Sequence, residues 1–275
     1  MKITQIHALY WSAAGHTRRI VHHIGQFLSQ SFMVPVIDTD LTSFNKRQNN
    51  FEIPSTSFVV FGMPTYAGKL PNKIMPFIRE HVHGNQTNVL AIVTFGNRNF
   101  DHALAELCFL LSENHFCIKG AAALVCEHAF SQKIATGHPD TKDFKQIDVF
   151  LGQVLKNIQS HKTLSTPIPG DPNAPYYIPK GIDGKPVNFL KAKPVTDTKL
   201  CNQCGLCAIS CPMQSIDLQD PSQVPGICIK CQHCIQICPE HAKYFNDPDF
   251  LSHVQMLETN YTQLKKESIL FLVIS

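Results

Sequence analysis

The apolar positions of the first 160 residues switch repeatedly between a strand rhythm and a helix rhythm. "ITQIHALYW" (3–11) reads as a strand, and Thr17, Ile20, Val21, Ile24, Phe27 and Leu28 then recur at helical spacing. "FMVPVIDT" (32–39) is a second strand, weakened by Pro35. "SFVVFGMP" (57–64) is a buried-strand run, followed by a helix from about Pro71 to about His81. "NVLAIVTFG" (88–96) is the strongest strand, and its following helix places Leu104, Leu107, Cys108 and Leu111 on one face. "GAAALVCE" (120–127) is the fifth strand, and the last helix carries Phe144, Ile147, Leu151, Val154, Leu155 and Ile158. Strand–helix alternation predicts an α/β fold, a parallel sheet with helices on both faces. Five such strands fit the doubly wound order 2-1-3-4-5, in which ligands bind in the crevice at the strands' carboxyl ends.

After residue 160 the pattern breaks. The segment 161–196 is dense in proline, from Pro167 to Pro186, and reads as an extended linker. Its Tyr176 and Tyr177 either pack on the surface of the first domain or cover a cofactor. The tail, 248–275, reads as a helix followed by "ILFLVI", too short to span a bilayer and expected to pack on a domain. Composition adds exclusions: a net charge of +3 argues for neither nucleic acid nor an anionic membrane. "MKITQIHALY" is not a signal-peptide core, so a cytoplasmic location is expected.

Cysteine changes the picture. Of 11 cysteines, 8 lie between residues 201 and 238, in two near-copies 27 residues apart: "CNQCGLCAISCP" (201–212) and "CIKCQHCIQICP" (228–239). Each is C-x2-C-x2-C-x3-C-P, which delivers three thiolates to one [4Fe–4S] cluster and sends the fourth to the other. Cluster one is then expected on Cys201, Cys204, Cys207 and Cys238, and cluster two on Cys228, Cys231, Cys234 and Cys211. Structural zinc prefers paired C-x2-C units, and disulfides would need an oxidising compartment. Apart from Lys230, the residues between the cysteines are uncharged, which suits backbone N–H groups aimed at cluster sulfurs. This segment resembles the bacterial two-cluster ferredoxins over roughly 50 residues, and Ile216 and Ala242 resemble that family's small and apolar packing residues. Cys108, Cys117 and Cys126 follow no such pattern and read as small core hydrophobes.

A two-cluster domain moves single electrons, and FMN is the natural companion on the sheet because it passes between one- and two-electron chemistry. Three loops at strand ends suit it. Ser12, Ala13, Ala14, Gly15, His16 and Thr17 open the first helix, where a phosphate can sit on backbone N–H groups, hydroxyls and the His16 ring. Pro64, Thr65, Tyr66, Ala67 and Gly68 follow the third strand, with Tyr66 placed to lie on the flavin ring and Gly68 to free a peptide for N5. Gly96, Asn97, Arg98, Asn99, Phe100 and Asp101 follow the fourth, with Phe100 a candidate for the ring's other side and Asn99 or Asp101 a helix cap. These loops resemble those of the flavodoxin-fused ferredoxins over residues 1–247, although Ala14 and His16 depart from the "S-G-T-G-N-T" type of phosphate loop.

The resemblance implies a flavodoxin-like five-stranded FMN domain (1–160), the linker (161–196), a small α+β 2[4Fe–4S] ferredoxin domain (197–247) and the tail (248–275). The expected function is an electron-transfer oxidoreductase relaying single electrons between two [4Fe–4S] clusters and FMN. Its donor and acceptor are not legible, and a homodimer remains open. The rival reading is an iron–sulfur sensor or interaction module without flavin turnover. Direct NAD(P)H use is disfavoured, because no dinucleotide fingerprint appears. His22, His23, His81 and His83 read as surface residues without carboxylate or cysteine partners.

Overall fold

The computed structural model describes residues 2–159 and 167–272, so the first residues of the expected linker (161–166) and the chain end (273–275) lie outside the described residues. The chain begins with β1 (Gln5–Tyr10), α1 (His16–Phe32), β2 (Val36–Asp40), β3 (Phe51–Ile53), β4 (Ser57–Pro64) and α2 (Met75–His81). It continues through β5 (Val82–Gly84), β6 (Thr87–Phe95), α3 (Ala103–Glu113), β7 (Phe116–Val125) and α4 (Thr141–Gln159). The second part holds β8 (Val195–Thr196), α5 (Leu206–Ile209), α6 (His233–Gln236), β9 (Lys243–Tyr244), α7 (Pro248–Tyr261) and β10 (Ile269–Phe271).

The main sheet runs β10-β7-β6-β4-β1-β2. Its five parallel strands have the doubly wound order 2-1-3-4-5, the flavodoxin-like arrangement. Period-two alternation divides the apolar strands between two cores: Val59, Phe61 and Met63 of β4 face α2 and α3, while Phe58 and Val60 face α1 and α4. Close approach is built in at Gly62, where a Cβ would lie 2.9 Å from Thr17 Cγ2 and nearer still to Val21 Cγ2 of α1.

Two expectations are corrected and two features are new. The tail packs on the first domain as a sixth strand of its sheet: β10 pairs antiparallel with β7, Ile269 opposite Ala123. β2 begins only at Val36, since α1 runs through Phe32 and Pro35 carries no N–H for the ladder. α2 begins at Met75, with residues 72–74 forming a turn after Pro71. Phe51–Ile53 and Val82–Gly84, unforeseen, make a small parallel pair.

The cysteine-rich part repeats in structure as it does in sequence. α5 and α6 are offset by the same 27 residues. So are the left-handed backbone positions Gln203 and Lys230, Gly205 and Gln232, and Gln214 and His241. These turns point amide N–H groups at sulfur: Ser215 N donates to Cys211 Sγ at 3.4 Å and Ala242 N to Cys238 Sγ at 3.3 Å, again one repeat apart. Ile216 and Ala242 are both buried, as the resemblance implied.

Replacing Gly62 by alanine should destabilise the chain by about 1–3 kcal/mol through overpacking of α1 on β4. Urea unfolding measures this; an unchanged midpoint would show that α1 can move away at no cost.

Candidate functional site

The carboxyl edge of the sheet opens into a cavity of about 540 Å³. One wall is made by residues 12–14, 16, 17, 64–68, 96, 98 and 99, from the three expected loops. The other comes from the loop after β7 (126–130), the linker tyrosines, residues 227–230 of the second cysteine loop, and His253 and Leu257 of α7.

At the first loop, Gly15 takes φ 81° and precedes α1 without a side-chain cap, leaving the helix N-terminus open to an anion. Ser12 Oγ accepts from Arg18 N at 3.0 Å, and Thr17 Oγ1 lies 2.8 Å from Thr94 Oγ1. His16 Nδ1 and Thr65 Oγ1 are buried polar atoms with no hydrogen-bond partner in the protein. Burial lowers the His16 pKa, with Glu127 opposing and Arg19 reinforcing the shift. At the second loop, Tyr66 and Lys69 exchange backbone hydrogen bonds of 2.7 and 3.1 Å, forcing Ala67 and Gly68 into positive φ. The Tyr66 ring sits edge-on to Trp11 at 5.6 Å. Burial, and then the nearby Cys231 and Cys228, push its phenol pKa well up.

The third loop departs most from expectation. Phe100 is buried in the core against Phe95 and does not reach the cavity. Asn97 is also buried away from it: its amide donates to the Tyr261 and Leu264 carbonyls at 2.8 and 2.9 Å and accepts from Lys266 N at 2.7 Å, lashing the tail to the sheet. Asp101 pairs with Arg98 outside the lining and, like Gly15, is absent from the cavity wall. Neither Asn99 nor Asp101 caps α3, whose N-cap is His102; Asn99 instead accepts from Asp101 N. Gly96 is required because a Cβ there would stand 2.7 Å from His128 Cγ and nearer still to Cδ2 of the same ring.

The linker tyrosines, read as surface packing or as a cofactor cover, join the cavity lining. Tyr176 donates to the Leu70 carbonyl at 2.7 Å, Tyr177 N donates to the Ala67 carbonyl at 2.8 Å, and the Arg98 guanidinium lies 4.0 Å above the Tyr177 ring. Both their surface packing and their place over the cavity hold. The loop after β7 had a readable signal, since it leaves the same carboxyl edge as the other three; the α7 residues had none.

Two smaller cavities lie in the cysteine-rich part. Cys211, Cys228, Cys231 and Cys234 line one, and Cys201, Cys204, Cys207 and Cys238 line the other. None of the eleven cysteines forms a disulfide. Burial pushes the Cys234 thiol up to about 12 and raises Cys231 as well. The outlying Cys108 and Cys126 are buried, while Cys117 is half-exposed and 3.3 Å from Gln86 Oε1. Three of the four surface histidines do have carboxylate partners: His22 meets Asp38 at 2.7 Å, His23 meets Asp148 at 2.6 Å and His81 meets Glu80 at 3.9 Å.

Residues 193–239 match the family described as "4Fe-4S dicluster domain". The chain joins a flavodoxin-like domain to a 4Fe–4S dicluster domain. The dicluster domain therefore implies two [4Fe–4S] clusters. Part of the chain is similar to the "Menaquinone reductase, iron-sulfur cluster-binding subunit" of Nitratidesulfovibrio vulgaris, 42% identical over 52 residues, which is 17% of this chain and 20% of that protein. The match thus spans about a fifth of that relative's length. Among solved structures, a flavodoxin from the domain Archaea aligns at 13% identity and TM-score 0.41, over 57% of this chain and 99% of that one. A flavodoxin variant of Fusobacterium nucleatum bound to flavin mononucleotide aligns at 12% and TM-score 0.38, over 56% and 97%. Among the described residues, no helix is long and apolar enough to cross a membrane.

Asn97→Ala should remove the tail's anchor and cost about 1–3 kcal/mol. Hydrogen exchange should then rise in β10 and the C-terminal turn of α7; unchanged protection there would contradict the anchoring role.

Proposed function

We propose that the chain is an electron-transfer protein that relays single electrons between FMN at the sheet edge and two [4Fe–4S] clusters in the dicluster domain of the same molecule. One observation carries this reading: Cys228, Ile229 and Lys230 line both the large cavity and the neighbouring four-cysteine cavity, so the two sites share a wall. Cys228, Cys231, Cys234 and Cys211 would hold the cluster at that wall, and Cys201, Cys204, Cys207 and Cys238 the far one. Cys207 packs with Cys211 and Cys234, which joins the two ligand sets.

The large cavity fits FMN. The uncapped start of α1, the two Ser12 and Thr17 hydroxyls and the unpartnered His16 Nδ1 provide for a phosphate, and Thr65 Oγ1 offers a further polar contact. When bound, FMN supplies exchange between one- and two-electron steps. Tyr66, in the second flavin loop, packs on the same core as Cys231 and meets Trp11 edge-on. Tyr176 and Tyr177 close the cavity against water, with Arg98 held in place over the ring of Tyr177. Cys204 is the exposed end of the cysteine array, where a redox partner would reach the far cluster. The cluster-binding subunit to which the dicluster domain is similar belongs to a reductase, in keeping with this role.

Anaerobically reconstituted protein should hold about one FMN and about eight irons per chain, four per cubane cluster. His16→Ala should weaken FMN binding roughly tenfold to a hundredfold, the loss of a hydrogen bond to a charged group worth about 1.5–3 kcal/mol. Cys204→Ser should lower iron content while leaving flavin in place. Protein that binds iron but no flavin would remove the FMN half of the proposal, and unchanged affinity in His16→Ala would remove His16 from the phosphate site.

A further inference from the structure

Two lysines break the internal repeat of the dicluster domain. Allowing for the 27-residue offset, Lys230 stands where the first copy has the exposed Gln203, and Lys243 stands where it has the buried Ile216. Lys230 is 8% exposed and Lys243 3%. Burying an ammonium is costly unless an opposite charge meets it. Lys69, equally buried, meets that requirement with Glu106 Oε1 at 3.1 Å. Among the described residues, neither Lys230 nor Lys243 has a carboxylate oxygen within 4.0 Å. The Lys230 ammonium donates instead to the carbonyls of Leu190 and Cys228, the latter at 3.1 Å, and the Lys243 ammonium donates to the carbonyl of Pro221. Those carbonyls fix each cation without neutralising it. What each lysine faces is a set of four cysteines: Lys230 lines the cavity of Cys211, Cys228, Cys231 and Cys234, and Lys243 that of Cys201, Cys204, Cys207 and Cys238.

We propose that Lys230 and Lys243 are the fixed counter-charges of the two clusters and raise their reduction potentials, one lysine to each cysteine set. The proposal rests on the two-cluster reading above. A cubane held by four thiolates is an anion, and it gains a further negative charge when it accepts an electron. A cation fixed in the same poorly solvated pocket stabilises the reduced form more than the oxidised form. The missing carboxylate partners then have a reason, because the clusters are the partners. Lys230 has a second consequence. It lines the shared wall with the large cavity, so its charge also favours an electron coming to rest at the cluster nearest the flavin.

The repeat itself supplies conservative variants: Lys230→Gln copies Gln203, and Lys243→Ile copies Ile216. The full chain with its clusters should be titrated anaerobically, with both cluster midpoints followed by electron paramagnetic resonance. Each variant should lower one midpoint more than the other, each a different one, by at least tenfold in the one-electron equilibrium, about 59 mV. Lys230→Arg, which keeps the charge, should hold both midpoints at the wild-type values. Intact clusters with unmoved midpoints in Lys230→Gln and Lys243→Ile would overturn the assignment. If Lys230→Gln fails to assemble, Lys243→Ile decides alone. A wild-type chain that shows no [4Fe–4S] signal on reduction would overturn the two-cluster reading itself, a different failure from unmoved midpoints.

Discussion

The second cysteine loop is pressed against the carboxyl edge of the parallel sheet, and the seam is apolar. Ile229, Cys231 and Met213 pack on the same core as Tyr66, Trp11 and Phe61. Two polar contacts register the seam: His233 Nδ1 lies 2.8 Å from the Ala13 carbonyl, and Arg47 donates to the Pro212 carbonyl while gripping those of Leu41 and Thr42 at 2.7 and 2.8 Å. His233 belongs to the second cysteine loop and Ala13 to the loop that opens α1. The loop that opens α1 and the second cysteine loop are thus tied to each other by a hydrogen bond. Apolar burial supplies the drive for the docking, and these contacts set its position.

That docking depends in turn on a strap. The proline-rich linker crosses the mouth of the large cavity, where Lys69 donates to the carbonyls of Pro172 and Ala174 at 2.6 and 2.9 Å. It then feeds an aromatic cluster in which Phe130, Phe189 and Phe245 surround Phe250, with ring centroids 4.5 to 5.5 Å apart. Phe130 comes from the sheet domain, Phe189 from the linker, Phe245 from the dicluster domain and Phe250 from α7. The tail closes the circuit through Asn97 and β10. The linker, the second cysteine loop and α7 thus each contribute a wall to the cavity at the carboxyl edge.

The sequence was most legible where chemistry or burial leaves a short-range mark. The strands of the sheet are continuous apolar runs, and 57–64 was read to the residue. The C-x2-C-x2-C-x3-C-P repeat fixed which cysteines share a pocket, because its spacing is itself the geometry. Legibility failed where a residue's partner lies far along the chain. Asn97 looked like a flavin-loop residue, yet its partners sit 164 residues and more away. β10 is three residues long and gains its pairing only from the free edge of β7. Gln232 holds a left-handed turn that the first copy gives to Gly205, so no glycine marks it. Lys230 was visible as the one charge among the cysteines, but its burial and its place in two cavities required the fold.

If the shared wall at Cys228 is the route between cofactors, electron exchange is a property of one molecule. The direct measurement is the rate at which the clusters bleach after the flavin is photoreduced, taken over a wide range of protein concentrations. The account predicts a first-order rate constant that does not change with concentration. A rate that rises in proportion to concentration, or clusters that stay oxidised while the flavin is reduced, would contradict it.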